Sequence, residues 1–134
     1  MNCGPLCLNT ITVYYGKSVL LQEIETLCQL TPDGVSMFNL EKAAQTIGFK
    51  TLVAKIDFET LIEKVPLPLI AFWNNIHYIV VWSITKESIN ITDPTFGEQV
   101  ISKEVFCKSW LNTISNNKPA GIVLLLEDIN QQNE

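Results

Sequence analysis

The chain has 134 residues and a formal net charge of −5, and 47% of its residues are hydrophobic. This length suits one domain with its own core, and the apolar fraction excludes an intrinsically disordered chain. An acidic balance without a Lys/Arg cluster argues against a nucleic-acid-binding surface. We therefore expect a single domain spanning residues 1–134, in which 127–134 form a frayed tail.

Neither a membrane span nor a secretory signal is predicted. The uncharged stretch 65–83 contains two prolines, two asparagines and a histidine, which the hydrocarbon of a bilayer would tolerate poorly. Residues 1–20 lack the basic start and the long apolar run of a signal peptide. These features predict a soluble chain whose cysteines are reduced.

The first part of the chain predicts three short helices. Cys3 precedes a Gly-Pro pair, and the apolar pattern that follows stops at Gly16, which is typical of a helix with Cys3 at its N-terminal mouth. Apolar residues recur at helical spacing over 20–28 and predict a second helix. Ser36 as N-cap and Gly48 as the closing glycine delimit a third.

After residue 48 the pattern changes to strands. Asp57 and Ser102 are predicted to cap short helices that end near Lys64 and Trp110, and an Asn-Asn pair at 74–75 predicts a hairpin turn. The predicted strands are 51–56, 69–73, 77–84, 88–92, 99–101 and 122–126. Helices followed mostly by antiparallel strands indicate an α+β domain.

Three residues point to nucleophilic chemistry. The thiol of Cys3 lies at the positive end of a helix dipole, which favours the thiolate. His77 is the only histidine, and Asp93 is the candidate to orient its ring. If the turn at 85–87 is centred near residue 86, His77 lies opposite about residue 95 and within reach of Asp93. The order Cys, His, Asp is that of a papain-like cysteine hydrolase.

Each of these residues also has a structural interpretation. A lone histidine in an apolar strand is more often part of a core, Asp-Pro after a strand is commonly a turn, and Cys-Gly-Pro is common at helix starts. Only their order and separation together favour catalysis. Cys7, Cys28 and Cys107 lie in apolar patterns, so we interpret them as small buried hydrophobic residues rather than zinc ligands, and we expect no metal site.

At these residues the sequence resembles the peptidase domain of bacteriocin-exporting ABC transporters, which cuts double-glycine leader peptides. The matching segments, which extend from Asn2 to about Leu126, include Asn2-Cys3-Gly4-Pro5-Leu6-Cys7, Tyr14-Tyr15-Gly16, Leu40-Glu41-Lys42-Ala43-Ala44, Ile47-Gly48-Phe49-Lys50, Pro66-Leu67-Pro68-Leu69-Ile70-Ala71, Trp73-Asn74-Asn75-Ile76-His77-Tyr78-Ile79-Val80-Val81 and Ile91-Thr92-Asp93-Pro94. The resemblance implies a papain-like fold, with N-terminal helices packed on a C-terminal antiparallel sheet. It implies Cys3 as nucleophile, His77 as base and Asp93 as the residue that orients the base.

The resemblance also implies a substrate and partners. The substrate would be a leader peptide, cut after a Gly-Gly or Gly-Ala pair, whose amphipathic helix docks on a shallow apolar surface. The partners would be the transmembrane and ATPase parts of an ABC transporter, fused or separate, at the cytoplasmic face of a bacterial plasma membrane. No cofactor is implied. Trp73 and Tyr78, which flank the histidine segment, are equally consistent with walls of a narrow cleft and with core residues.

Two departures from the family pattern bear on activity. Asn2 stands where the family usually has an acidic residue. The family also places a glutamine upstream of the nucleophile, whose amide helps to hold the oxyanion, and the 134 residues contain no counterpart. We therefore expect slow cleavage by this chain. A second function stays open, in which a peptidase-like domain binds the leader or the secretion substrate without cutting it, and a papain-like acyl transferase is a more distant third.

Overall fold

A computed structural model describes residues 2–129 of the chain. The helices are α1 (Cys3–Tyr14), α2 (Leu21–Leu27), α3 (Met37–Ile47), α4 (Phe58–Lys64) and α5 (Lys103–Trp110). The strands are β1 (Phe49–Ile56), β2 (Leu69–Trp73), β3 (His77–Ile84), β4 (Ser88–Asp93), β5 (Gly97–Ser102), β6 (Thr113–Ser115) and β7 (Lys118–Asp128). No helix within the described range has the length and apolar character needed to cross a membrane.

Three predicted helix starts are confirmed by side-chain caps. The Ser36 hydroxyl accepts a hydrogen bond from the Asn39 N–H at 3.1 Å, and Asp57 Oδ1 accepts one from the Thr60 N–H at 2.8 Å. Ser102 caps α5 in the same way at 3.2 Å. Each cap satisfies one of the N–H groups that have no partner within their own helix. Local chemistry therefore sets where these helices begin.

The strands form one antiparallel sheet in the order β1-β7-β2-β3-β4-β5. The short strand β6 pairs with the first three residues of β7. Alternate residues of β2, β3 and β7 enter two separate apolar clusters, one on each face. The helices α1, α2 and α3 cover one face, while α4 and α5 cover the other. Burial on both faces explains why these strands appear in the sequence as continuous apolar runs. The predicted packing of N-terminal helices on an antiparallel sheet is confirmed.

One hairpin was missing from the predicted strands. The three-residue strand β6 joins β7 through Asn116 and Asn117, whose φ angles are 53° and 64°. The predicted turn residues Asn74 and Asn75 have the same pair of φ angles, 53° and 64°. The β6–β7 loop has two residues, and the β2–β3 loop has three, residues 74–76. In both loops the asparagines adopt the left-handed backbone that tight hairpin turns require. The second hairpin went unpredicted because β6 is too short to show an alternating pattern.

The prediction of a frayed tail from residue 127 is wrong at its start. Glu127 and Asp128 belong to β7, and Asp128 is buried. Its Oδ1 lies 2.9 Å from the Lys17 ammonium nitrogen, which lies 5.1 Å from the centroid of the Phe49 ring. This ion pair joins the segment that follows α1 to the sheet, and it compensates the charge of the buried carboxylate. Residues 130–134 of the predicted tail lie outside the described residues.

A methyl group added at Gly121 is expected to destabilise the fold by about 1–3 kcal/mol through overpacking. A Cβ built there would lie 2.1 Å from Cε2 of Trp110, which is fully buried and donates its indole N–H to the Ile122 carbonyl at 3.3 Å. Urea denaturation of Gly121→Ala measures the loss. Gly4→Ala is the control, since its nearest contact would be 3.4 Å. Equal stability of the two variants would contradict the packing described for Trp110.

Candidate active site

Cys3 is the first residue of α1, and the residue is 8% exposed. The Leu6 N–H donates to the Asn2 carbonyl at 3.0 Å and closes the first helical turn. The N–H groups of Cys3 and Gly4 precede that bond, at positions where an α-helix provides no acceptor of its own. A helix N-terminus stabilises negative charge. The position therefore suits a thiolate, and it can also hold an oxyanion.

His77 and Asp93 meet across the hairpin formed by β3 and β4. Asp93 Oδ1 lies 3.0 Å from His77 Nε2 and also accepts a hydrogen bond from the Thr95 N–H at 2.8 Å. Val80 pairs with Thr92 at the end of the ladder nearest these two residues, and the 3.0 Å distance confirms the predicted proximity of His77 and Asp93. Because Nε2 faces the carboxylate, Nδ1 is the ring nitrogen left for other chemistry.

A cavity of about 160 Å³ brings Cys3 and His77 together. Asn2, Leu6, Pro94 and Thr95 complete its lining. The structure therefore gathers all three predicted site residues, since Asp93 reaches the cavity through its hydrogen bond to His77. An imidazole held in this way can take up a thiol proton and later pass a proton to a leaving group.

A second groove, of about 780 Å³, also has Cys3 in its lining. Most of its remaining lining comes from the loop between α2 and α3, from the start of α3, from the β2–β3 turn, and from Phe72 and Tyr78 of the sheet. Tyr78 is 4% exposed and therefore belongs to the core, and it also contributes to the lining of the groove. Trp73 is buried against Phe106, with 5.3 Å between ring centroids. Of the two aromatic residues considered as cleft walls, the groove lining includes Tyr78.

The other cysteines differ from Cys3 in their surroundings. Cys7 and Cys28 are fully buried, as predicted, whereas Cys107 is only half-buried. Burial raises the pKa of the Cys7 thiol well above its ordinary value, and the charges of Cys3 and Asp93 raise it further. Burial also raises the pKa of the Cys28 thiol to about 11. The pKa of the Cys107 thiol is raised by burial as well. Thiols with raised pKa values are poor nucleophiles at neutral pH.

No three His, Cys, Asp or Glu side chains between residues 2 and 129 come together as a group that could bind a metal ion.

Asn2 has a partner that the sequence did not reveal. Its amide nitrogen donates to Glu25 Oε2 at 3.1 Å. An acidic residue at position 2 would place its charge beside that carboxylate. The Asn2 departure is therefore matched by Glu25 on α2.

Cys3 is expected to be the first cysteine to react with iodoacetamide at neutral pH, because its thiol lies at a helix N-terminus beside His77. Cys107 gives the sharpest comparison, because it is more exposed than Cys3. If accessibility alone set the rate of alkylation, Cys107 would react before Cys3. Brief alkylation followed by peptide mass mapping gives the order of reaction. Faster labelling of Cys7, Cys28 or Cys107 would contradict an activated Cys3.

Comparison with known proteins gives a consistent family assignment. The chain matches the Peptidase C39 family over residues 1–120. It is 32% identical, over 88% of its length, to the lactococcin-G-processing and transport ATP-binding protein of Lactococcus lactis subsp. lactis. It is 34% identical, over 81% of its length, to the pediocin PA-1 transport/processing ATP-binding protein of Pediococcus acidilactici. The chain spans 18% and 16% of the lengths of these relatives.

A solved structure supports the same assignment. The crystal structure of a double glycine motif protease from an AMS/PCAT transporter in complex with the leader peptide superposes with a TM-score of 0.85 at 28% identity. The match covers 95% of this chain and 84% of that chain. The predicted papain-like α+β fold is thereby confirmed. The chain is a cysteine peptidase domain and belongs to the Peptidase C39 family.

Proposed function

We propose that this chain is a thiol endopeptidase that removes leader peptides after a double-glycine-type motif during the export of bacteriocins or other secreted peptides. The observation that carries the proposal is the hydrogen bond between His77 and Asp93 beside a cavity that Cys3 shares. The names of the relatives describe processing and transport, and the superposed protease holds a leader peptide. Residues 1–134 then act as one peptidase domain.

In the first half of the reaction, the Cys3 thiolate attacks the carbonyl carbon of the second small residue. The backbone N–H of Cys3 donates to the oxyanion that forms. His77 acquires the thiol proton and delivers it to the leaving amine as the C–N bond breaks. The products of this half are a thioester on Cys3 and a free peptide with a new N-terminus.

In the second half, a water molecule attacks the thioester while His77 accepts its proton. Collapse of the tetrahedral intermediate breaks the C–S bond, releases the leader as a carboxylic acid and restores Cys3. Asp93 holds the ring through Nε2 and stabilises the imidazolium in both halves. These steps use only groups of the chain and water.

The names of the relatives support a proposal for the site of action. Because they are transport ATP-binding proteins of which the chain spans 18% and 16%, we place the domain at the cytoplasmic face of a bacterial plasma membrane. Its partners there are transmembrane and ATPase parts of an ABC transporter, fused or separate. The leader docks by an amphipathic helix on an apolar surface of the domain, away from the bond that is cut.

Incubation with a synthetic peptide that carries a double-glycine leader tests the proposal. Mass spectrometry should show two products separated after the small pair, and Cys3→Ala should yield none while it retains the fold. Peptide binding without any cleavage at long times and high enzyme concentration would instead favour the domain that holds its substrate without cutting. Cleavage by Cys3→Ala would exclude the thiol mechanism.

A further inference from the structure

We propose that Tyr78 is a positioning residue for substrate selectivity: its hydroxyl, bonded to the Val35 carbonyl, sets the width of the groove that receives the residues before the scissile bond. This inference rests on the proposed function. The hydrogen bond measures 2.8 Å and joins β3 to the loop between α2 and α3. If this bond holds the loop close to the sheet, the groove discriminates between substrate side chains by size and favours two small residues there.

The direction of the substrate follows from the chemistry of the leaving group. His77 must reach the departing amine, so the residues after the scissile bond lie over the cavity that His77 lines. Cys3 lines both that cavity and the larger groove. The acyl part of the substrate, which ends in the two small residues, therefore extends from Cys3 into the larger groove.

The larger groove has two walls that belong to separate parts of the chain. One is the α2–α3 loop, with lining residues 31–37, and the other is the β2–β3 turn with Asn75 and Ile76. The loop closes on itself through paired backbone hydrogen bonds between Thr31 and Gly34, at 3.2 and 2.9 Å. Those bonds shape the loop but do not fix its distance from the sheet. The Tyr78 hydroxyl fixes the distance between the loop and the sheet, because it extends from β3 to the Val35 carbonyl in the loop.

The ring of Tyr78 is held independently of its hydroxyl. It packs against Phe72, with 5.5 Å between ring centroids, and a Cβ at Gly4 would lie 3.4 Å from it. Burial raises the pKa of Tyr78 to about 12, so the hydroxyl keeps its proton and acts as a donor under ordinary assay conditions. Removing the hydroxyl alone should therefore release the loop and leave the ring in place.

The test compares Tyr78→Phe with Tyr15→Phe, which makes the same chemical change in the same apolar cluster but outside the groove lining. Two leader peptides are used, identical except for Gly-Gly or Ala-Ala before the scissile bond. In Tyr78→Phe, the loss of one hydrogen bond should raise KM for the Gly-Gly peptide about fivefold. The preference, measured as the ratio of kcat/KM for the Gly-Gly peptide to that for the Ala-Ala peptide, should fall by at least a similar factor. Tyr15→Phe should change neither value. An unchanged KM and preference in Tyr78→Phe would overturn the proposal, and so would a loss confined to kcat.

A second measurement needs no cleavage and so separates this inference from the proposed function. Cys3 is alkylated with iodoacetamide and, in parallel, with the bulkier N-phenylmaleimide. In Tyr78→Phe the rate with the bulky reagent should rise relative to iodoacetamide, and amides 31–37 should exchange hydrogen faster. If the wild-type chain cuts no leader, the proposed function fails while this result still decides on Tyr78. Unchanged relative rates and exchange would overturn the positioning role even if thermal stability falls.

Discussion

The His77→Ala variant is expected to cleave a double-glycine leader about 10²–10⁴-fold more slowly than the wild-type chain, because it lacks the group that carries the proton in both halves of the reaction. The side chain lies at the start of β3 beside a cavity, and it is 18% exposed. Asp93 keeps its hydrogen bond from the Thr95 N–H when the ring is removed, so we expect thermal stability to fall only modestly. Single-turnover rates at saturating enzyme, together with thermal unfolding, measure the two effects separately.

His77→Gln provides the matched control. A glutamine amide can still donate a hydrogen bond to Asp93 from about the position of Nε2, but it cannot transfer a proton. We expect a rate loss like that of alanine with stability close to wild type. If His77→Ala unfolds and His77→Gln keeps its activity, the histidine is structural. Retained activity in both folded variants would also remove His77 from the mechanism.

The meeting of His77 and Asp93 could be predicted from the sequence because it depends on one short turn. A hairpin pairs its strands symmetrically about the turn, so a turn near residue 86 places the two residues together. The register shifts between Val81 and Ser83, yet Val80 still pairs with Thr92 as the symmetric count requires. Helix caps and the first asparagine turn were predictable for the same reason. Each of them depends on a few consecutive residues.

The contacts that could not be predicted join distant parts of the chain. Tyr78 bonds to Val35 across 43 positions, and Asn2 bonds to Glu25 across 23. No local pattern encodes these pairs. The Asn2 bond depends on how α2 packs beside α1, and the Tyr78 bond depends on where the α2–α3 loop lies against β3. The position of β7 between β1 and β2 belongs to the same class, because it depends on the closing of the whole sheet. The substrate groove is built largely from such contacts. The approach of Cys3 to His77 belongs to this class as well, because it depends on how α1 packs on the sheet.

A glutamine placed about six positions before Cys3 is expected to raise the single-turnover rate of leader cleavage by about 10²–10³-fold over the 134-residue chain, by adding a further donor to the oxyanion. In the proposed mechanism the oxyanion receives hydrogen bonds from backbone N–H groups at the start of α1, and the glutamine amide would add a side-chain donor. Leader affinity should change little, because docking on an apolar surface precedes formation of the oxyanion.

The control for this prediction is the same N-terminal extension with alanine in place of the glutamine, which separates the amide from the added length. Cleavage rates and peptide affinities are measured for the 134-residue chain and for both extended chains. A rate increase confined to the glutamine chain, at constant affinity, assigns the effect to the oxyanion. Equal rates in the two extended chains would show that the amide does not act on the transition state. Tight binding with no cleavage in the glutamine chain would instead favour a domain that holds its leader without cutting it.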